Sequence, residues 1–126
     1  MGILKIPQKV WNGIEFGSYT KIAQEVLTNS DSKRRWIAIY ANYKLDFVNN
    51  EYYFFLEKTK ENMFCIIDFE MDNTLVELHE GINSDEDLLN LKIYKANNTE
   101  ELSHLLDREG INQELFVPEW RCDYPL

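Results

Sequence analysis

The stretch DFEMDNTLVELHEGINSDEDLL, residues 68–89, concentrates the side chains of this chain that could do chemistry. It holds eight carboxylates and no Lys or Arg. Asp68, Glu70 and Asp72 alternate with apolar residues, and alternate residues of a strand share one face. Carboxylates on one face could bind a divalent cation, because hard cations prefer oxygen ligands. The same pattern is also typical of a solvated sheet face or of a charged edge strand.

A second acidic group, Asp85, Glu86 and Asp87, follows Ser84 at the start of a predicted short helix over residues 84–91. Acids in the first turn interact favourably with the helix dipole, each contributing about 0.3–1 kcal/mol. The same three residues could form an acidic surface for a partner, and the two interpretations are compatible.

The catalytic and metal-binding templates that could include these acids do not fit. An EF-hand loop starting at Asp68 would need Gly at Asn73 and Glu at His79. The H-E-x-x-H motif starting at His79 ends on Asn83. The chain contains no nucleophile-elbow motif and no glycine-rich phosphate loop. We therefore expect no catalytic residue, no metal and no cofactor.

The charge of the chain is one-sided. Residues 1–60 carry nine Lys/Arg and six Asp/Glu, a net of +3, whereas residues 61–126 carry four and sixteen, a net of −12; together they give the −9 of the whole chain. Such a distribution attracts a cation or a basic protein. It argues against a nucleic-acid partner, because phosphate contacts need clustered Lys and Arg.

Length and composition predict one globular domain over residues 1–126. The chain is 44% hydrophobic and 13% aromatic, which is too apolar for a disordered chain. No apolar run approaches the ~20 residues that span a bilayer, and the start of the sequence has no apolar signal-peptide core. We expect a cytoplasmic protein without membrane contact.

The hydrophobic periodicity predicts an α+β fold. Residues 18–29 place Tyr19, Ile22, Ala23, Val26 and Leu27 on one helical face after a possible Ser18 cap. A polar loop, SDSKRRW, should follow. Apolar and aromatic runs then predict an antiparallel meander of four strands, at residues 36–43, 51–58, 63–71 and 74–80.

The end of the chain predicts a fifth strand and more helix. Lys92–Ala96 could extend the meander, and Asn98 opens a helix that should stop at Gly110, with Glu101 in the capping-box position. The C-terminal helices should pack on one face of the sheet. The aromatic residues Tyr52–Phe55 would lie on both faces of the second strand, so a homodimer or a helix could be needed to cover them.

The C-terminal stretch FVPEWRCDYPL carries Trp120 and Tyr124 beside Arg121. Trp, Tyr and Arg are enriched at the hot spots of protein interfaces. Trp120 and Tyr124 are therefore candidate partner contacts, unless this segment packs back on the domain and covers the sheet.

The one-sided acidity of residues 61–91, in a compact α+β chain without catalytic motifs, resembles the small acidic immunity proteins of bacterial toxin systems. The resemblance implies a non-catalytic inhibitor that binds a basic, nuclease-like toxin domain. Acidic side chains would steer the toxin, and buried aromatic residues would hold it. The candidate contacts are Asp68, Glu70, Asp72, Asp85, Glu86, Asp87, Trp120 and Tyr124. Two alternatives remain open: a divalent-cation module or metal-dependent enzyme using Asp68, Glu70 and Asp72, and a small-ligand pocket in a curved sheet.

Overall fold

The structure is a computed structural model, and it describes residues 4–77 and 87–126. Its elements, in chain order, are α1 (Gln8–Glu15), β1 (Lys21–Val26), β2 (Lys33–Ala41), α2 (Phe54–Thr59), β3 (Phe64–Asp72), α3 (Asn73–Glu77), β4 (Leu89–Ala96), α4 (Thr99–Arg108) and β5 (Val117–Pro118). No helix in the described ranges is both long and apolar enough to cross a membrane.

The five strands form one antiparallel sheet in the order β4-β3-β2-β1-β5. The strands β1 to β4 therefore follow one another as a meander, and β5 adds to the free side of β1. Ile22 lies opposite Ile39, which lies opposite Ile66. Because side chains alternate along a strand, each cross-strand row of this kind belongs to a single face of the sheet.

One face of the sheet, called face 1, packs against α1 and α4. Trp11 and Ile14 of α1 and three leucines of α4 are buried there against the isoleucine row; the leucines are Leu102, Leu105 and Leu106. Both helices have their apolar residues on one side, which the sheet covers.

The opposite face, called face 2, packs against α2 and the C-terminal segment. Trp36 and Phe69 are fully buried in it, and Phe55 of α2 lies against Tyr40. Tyr124 packs on both Tyr40 and Phe69. Both faces of the sheet are thus covered, which explains why β2 and β3 are apolar almost without alternation.

The sequence predicted this fold class correctly: an α+β chain with an N-terminal helix, an antiparallel meander of four to five strands and a C-terminal helix on one face. The strands at residues 36–43 and 63–71 are confirmed as β2 and β3. The α4 cap is confirmed as well, since Asn98 accepts a hydrogen bond from Glu101 N and Glu101 accepts one from Asn97 N. Gly110 has φ 69°, as the predicted left-handed stop requires.

The helix predicted over residues 18–29 is wrong, because this segment contains β1. Residues Ile22, Ala23 and Gln24 are buried in succession, as expected for a strand with a neighbour on each side. The apolar residues of this segment have helical spacing, which misled the prediction, although two of them, Ile22 and Val26, are β-branched and favour a strand. Gln24 is the polar residue among these three, and its side-chain amide donates a hydrogen bond to Asn112 O at 2.9 Å.

The N-terminal helix is instead α1, which begins directly after Pro7. Proline is favoured at a helix start because its missing N–H would have no helical partner there. Within α1, Gly13 allows the Tyr19 ring to lie against the helix backbone, since a Cβ at Gly13 would come within 2.1 Å of that ring.

Three further predictions along the chain are corrected. Residues 51–58 are not a strand: they enter α2, where Phe55, Leu56 and Thr59 are buried at helical spacing. The strand at 74–80 is wrong over its described part, which lies in α3. Of the helix predicted at 84–91, residues 84–86 lie outside the described residues and residues 89–91 belong to β4, which extends the predicted fifth strand.

The polar loop predicted at SDSKRRW is also partly wrong, because Lys33–Arg35 already belong to β2. Arg34 and Arg35 are held by carboxylates on the two neighbouring strands, Glu25 and Asp68. Ion pairs to neighbouring strands allow these basic residues to lie within β2, and the local composition of the sequence does not reveal such pairs.

Candidate functional site

Face 1 is divided into an apolar half under the helices and a polar half beyond them. The polar half follows two cross-strand rows: Gln24, Ile37, Asp68 and Lys92 form one, and Val26, Arg35 and Glu70 form the next. A cleft of about 250 Å³ lies between these rows and the segment 109–115. The sheet supplies polar groups of both charges to this cleft, among them Arg35, Asp68 and Lys92.

Arg35 and Asp68 form a two-bonded ion pair at the base of the cleft. Arg35 Nε donates to Asp68 Oδ1 at 2.8 Å, and Arg35 NH2 donates to Oδ2 at 2.6 Å. The Asp68 side chain is only 11% exposed. The hydrogen bond to Asp68 raises the pKa of Arg35, so the guanidinium stays charged. The Asp68 carboxylate is therefore already paired with Arg35 within the chain.

Glu70 lies beside this pair and is held by two polar side chains. Thr28 Oγ1 donates to Glu70 Oε1 at 2.6 Å, and Asn90 Nδ2 donates to Oε2 at 2.5 Å. These bonds, with Thr28 first, lower the pKa of the Glu70 carboxyl because they stabilise its charged form. The carboxylate is thus fixed in place while its charge remains uncompensated by a direct ion pair among the described residues.

Replacing Thr28 with valine is expected to raise the pKa of Glu70 toward the ordinary glutamate value. A carboxyl whose folded-state pKa is lowered contributes stability at neutral pH, and that contribution is lost as the pH falls through the folded-state pKa. The variant should therefore be less stable than the wild type at neutral pH and equally stable at acid pH. A carbon-13 NMR titration of the Glu70 carboxyl measures the shift. Thr99→Val, in α4, is the matched control, and an unchanged Glu70 titration in Thr28→Val would refute the role of the hydroxyl.

The end of the sheet next to Glu70 carries three aspartates, and we call Asp31, Asp72 and Asp87 the acidic end. Asp72 closes β3, and Asp87 comes two residues before β4, so both lie at one end of this antiparallel strand pair. Asp31 joins them because Asn73, which follows Asp72, donates from its side chain to Asp31 O at 2.9 Å. Asp31 and Asp72 are exposed, Asp87 is half-buried, and none of the three forms an ion pair within the described ranges.

The structure places Asp68, Glu70 and Asp72 along one strand, as predicted, with Asp68 and Glu70 on the side opposite Phe69 and Met71. It does not bring them together around a common point. Across the described part of the chain, no group of three His, Cys, Asp or Glu side chains is arranged to hold a metal ion. The predicted pocket in an aromatic curved sheet also loses its basis, because residues 54–59 are helical.

The two aromatic candidates occupy different environments. The Trp120 side chain is 63% exposed and meets Tyr19 edge to face, with ring centroids 5.3 Å apart. Tyr124 packs into the core of face 2, and its hydroxyl lies 2.7 Å from that of Tyr40. Burial raises the pKa of both phenols, so both are neutral at physiological pH. This position suits Tyr124 to a structural role.

Trp120 and the acidic end lie at opposite ends of the sheet. Trp120 contacts Tyr19, which lies two residues before the start of β1 at Lys21, and Lys21 pairs with Tyr40 of β2. Asp72 of β3 pairs with Lys33, which lies at the other end of β2. The seven residue-to-residue steps from Lys33 to Tyr40 span roughly 23 Å at the rise of a strand. A contact that uses both features must therefore extend along the whole sheet. Asp85 and Glu86 lie outside the described residues.

The sequence did not reveal the role of Arg35 or the contribution of Asp31. Arg35 belongs to the only dense basic cluster of the chain, but its partner Asp68 is 33 positions away. Only the strand pairing of β2 with β3 brings them together. No protein-family model matches this chain, and neither a curated protein nor a solved structure matches it significantly.

Proposed function

We propose that this protein is a non-catalytic inhibitor that binds a basic partner domain through its acidic end, in the manner of immunity proteins that neutralise nuclease-like toxins. The observation that carries the proposal is the position of Asp31, Asp72 and Asp87. These residues lie at one end of the sheet, and none of their carboxylates forms an ion pair with a described residue, although Lys33 is the cross-strand neighbour of Asp72. A surface of that kind attracts cationic groups of a partner.

The charge distribution of the whole chain also supports a basic partner. Residues 61–126 carry a net −12, and the sequence between Asp72 and Asp87 adds Glu77, Glu80, Asp85 and Glu86 without any Lys or Arg. Opposite charge mainly raises the association rate and the specificity of a complex. The partner is therefore expected to be a basic protein whose association slows as salt is added.

The role of Asp68 in this proposal differs from that of its neighbours. Because Asp68 is paired with Arg35 and buried, it contributes little net charge to the surface. Glu70 is a better contact, since Thr28 and Asn90 hold it ionised and in place. A preorganised carboxylate loses less side-chain entropy when a partner binds.

The partner can be captured with the tagged protein from lysate of its own source, at low and at high salt. A stoichiometric basic protein that is weakened or lost at high salt is the expected result. The association rate of the purified pair is then compared for the wild type and for the triple variant Asp31→Asn/Asp72→Asn/Asp87→Asn. The variant should associate about tenfold more slowly at low salt and show a shallower salt dependence.

The matched control is Glu51→Gln/Glu61→Gln/Glu100→Gln, which removes the same number of charges from exposed positions outside the acidic end. It should change the association rate less than about twofold, as expected for charges remote from a contact. Equal effects of the two triple variants would mean that net charge alone steers the partner, and the acidic end would lose its assignment.

A further inference from the structure

The edge strand β4 offers an open row of backbone hydrogen-bonding groups. Among the described strands, β4 has a neighbour only on the β3 side. Within the described ranges, no loop or turn makes a backbone hydrogen bond to residues 89–96. In a regular antiparallel strand every second residue directs both its N–H and its C=O outward, so residues 91–96, which follow the β-bulge at Asn90, present unused pairs along this edge.

We propose that β4 pairs antiparallel with β4 of a second copy of this chain, about a two-fold axis that passes through Ile93. The two five-stranded sheets then join into one sheet of ten strands. The homodimer predicted from residues 52–55 had a different basis, which α2 removes; this one rests on β4 and is independent of the proposed inhibitor function.

The register follows from the faces of the strand. A two-fold axis perpendicular to the sheet keeps each face continuous, so a residue can lie opposite only residues of the same parity. A β-bulge, with Asn90 at φ 52°, interrupts the alternation, so regular pairing is limited to residues 91–96. Within that stretch the registers centred on Ile93 and on Tyr94 each pair five residues, and the one centred on Lys92 pairs three. Centring on Tyr94 would place Ile93 opposite Lys95, on face 2. Centring on Lys92 places two lysines directly opposite each other, which is destabilising.

Centring on Ile93 gives compatible neighbours throughout. Ile93 meets its own copy on face 2, where it is half-buried beside the core. Lys92 lies opposite Tyr94 of the second copy on face 1, and Leu91 lies opposite the stem of Lys95. Lysines on an edge usually discourage strand pairing; here they exclude the register centred on Lys92 and leave the one centred on Ile93 intact.

Charge and edge geometry favour the same arrangement. Because the two β4 strands run in opposite directions, the acidic ends of the two copies lie at opposite ends of the joined sheet. The remaining outer strands are the two β5 strands, each only two residues long. Each outer edge then consists of β5 and of residues 24–26 of β1, which β5 does not cover, so the joined sheet keeps only short open edges among its described strands, which is how natural sheets limit further pairing.

The first test measures the solution mass of the unmodified protein by sedimentation equilibrium, from low micromolar to near-millimolar concentration. A strand-to-strand contact of this size makes a weak interface, so the mass should rise with concentration toward twice the chain mass. A single-chain mass across the whole range would overturn the proposal and would leave the edge to a partner's strand.

The second test fixes the register by disulfide trapping in a Cys122→Ser background, since Cys65 is buried. Ile93→Cys should form a covalent dimer on mild oxidation, because directly opposed Cβ atoms lie about 4.5–5.5 Å apart. Leu91→Cys is the matched control: the two copies of residue 91 are offset by roughly 13 Å along the strands. Trapping through Tyr94→Cys in place of Ile93→Cys, or equal trapping through Leu91→Cys, would overturn the register.

Discussion

Replacing Arg35 with alanine is expected to destabilise the protein by about 2–4 kcal/mol. The substitution leaves the Asp68 carboxylate, only 11% exposed, without its two-bonded partner. Breaking a buried ion pair from one side is costly because the remaining charge has lost its compensation and is still largely out of water. The figure lies below that for a fully buried pair because the Arg35 side chain is 35% exposed. Urea denaturation at neutral pH measures the change in the free energy of unfolding.

The control for Arg35→Ala is Lys33→Ala, which also removes a cation from β2. Lys33 forms no ion pair with a described residue, so its loss should cost less than about 0.5 kcal/mol. The double variant Arg35→Met/Asp68→Leu adds a sharper comparison. If the loss comes from the unpaired carboxylate, the double variant should be more stable than Arg35→Ala. A double variant less stable than Arg35→Ala would contradict this explanation.

Replacing Tyr124 with alanine is expected to cost about 3–4 kcal/mol. The ring packs on Tyr40 and on Phe69, and its removal opens a cavity on face 2. It also leaves the buried Tyr40 hydroxyl without the partner that lies 2.7 Å away. Differential scanning calorimetry measures the loss, and tryptophan fluorescence follows it independently, since Trp36 Nε1 donates to Cys122 O in the same segment.

Trp120→Ala tests whether the C-terminal segment has two distinct roles. The Trp120 side chain is largely exposed, so its removal should cost less than about 1 kcal/mol of stability, mainly from the contact with Tyr19. Similar losses for Tyr124→Ala and Trp120→Ala would contradict the division between a core residue and a surface residue. Tyr124→Phe separates the hydroxyl from the ring, and about 1 kcal/mol is expected for the hydroxyl alone.

The sequence predicted the fold class because the strongest patterns belong to the core. The runs around Trp36 and Phe69 are apolar on both sides, which only a strand covered on both faces tolerates. Asn98, Glu101 and Gly110 carry local signals that fix both ends of α4. The ends of α4 are fixed by residues that lie close together in the sequence, and the two strands are fixed by burial alone, so both can be predicted from local patterns.

The predictions failed where tertiary pairing overrides local pattern. β1 has helical spacing in sequence, but it is a strand because β2 pairs along its whole length and β5 pairs with Ile22 and Ala23 on its other side. The helix α2 contains two adjacent phenylalanines that favour a strand, but the burial of Phe55, Leu56 and Thr59 selects a helix. Asp68, Glu70 and Asp72 do share one strand, but Asp68 is paired with an arginine that no local pattern indicates.

The place of β1 in the sheet determines when this chain can finish folding. Ile22 lies opposite Pro118, 96 positions later, whereas every other strand pairing in the sheet joins two strands that are consecutive in the chain. During synthesis the meander can assemble as its strands emerge, but β1 keeps an unprotected edge until Val117 has left the ribosome. Closing so long a loop is entropically expensive and slow. Premature termination upstream of Val117 would therefore produce a nearly complete sheet with a bare, apolar-flanked edge, a species prone to aggregate.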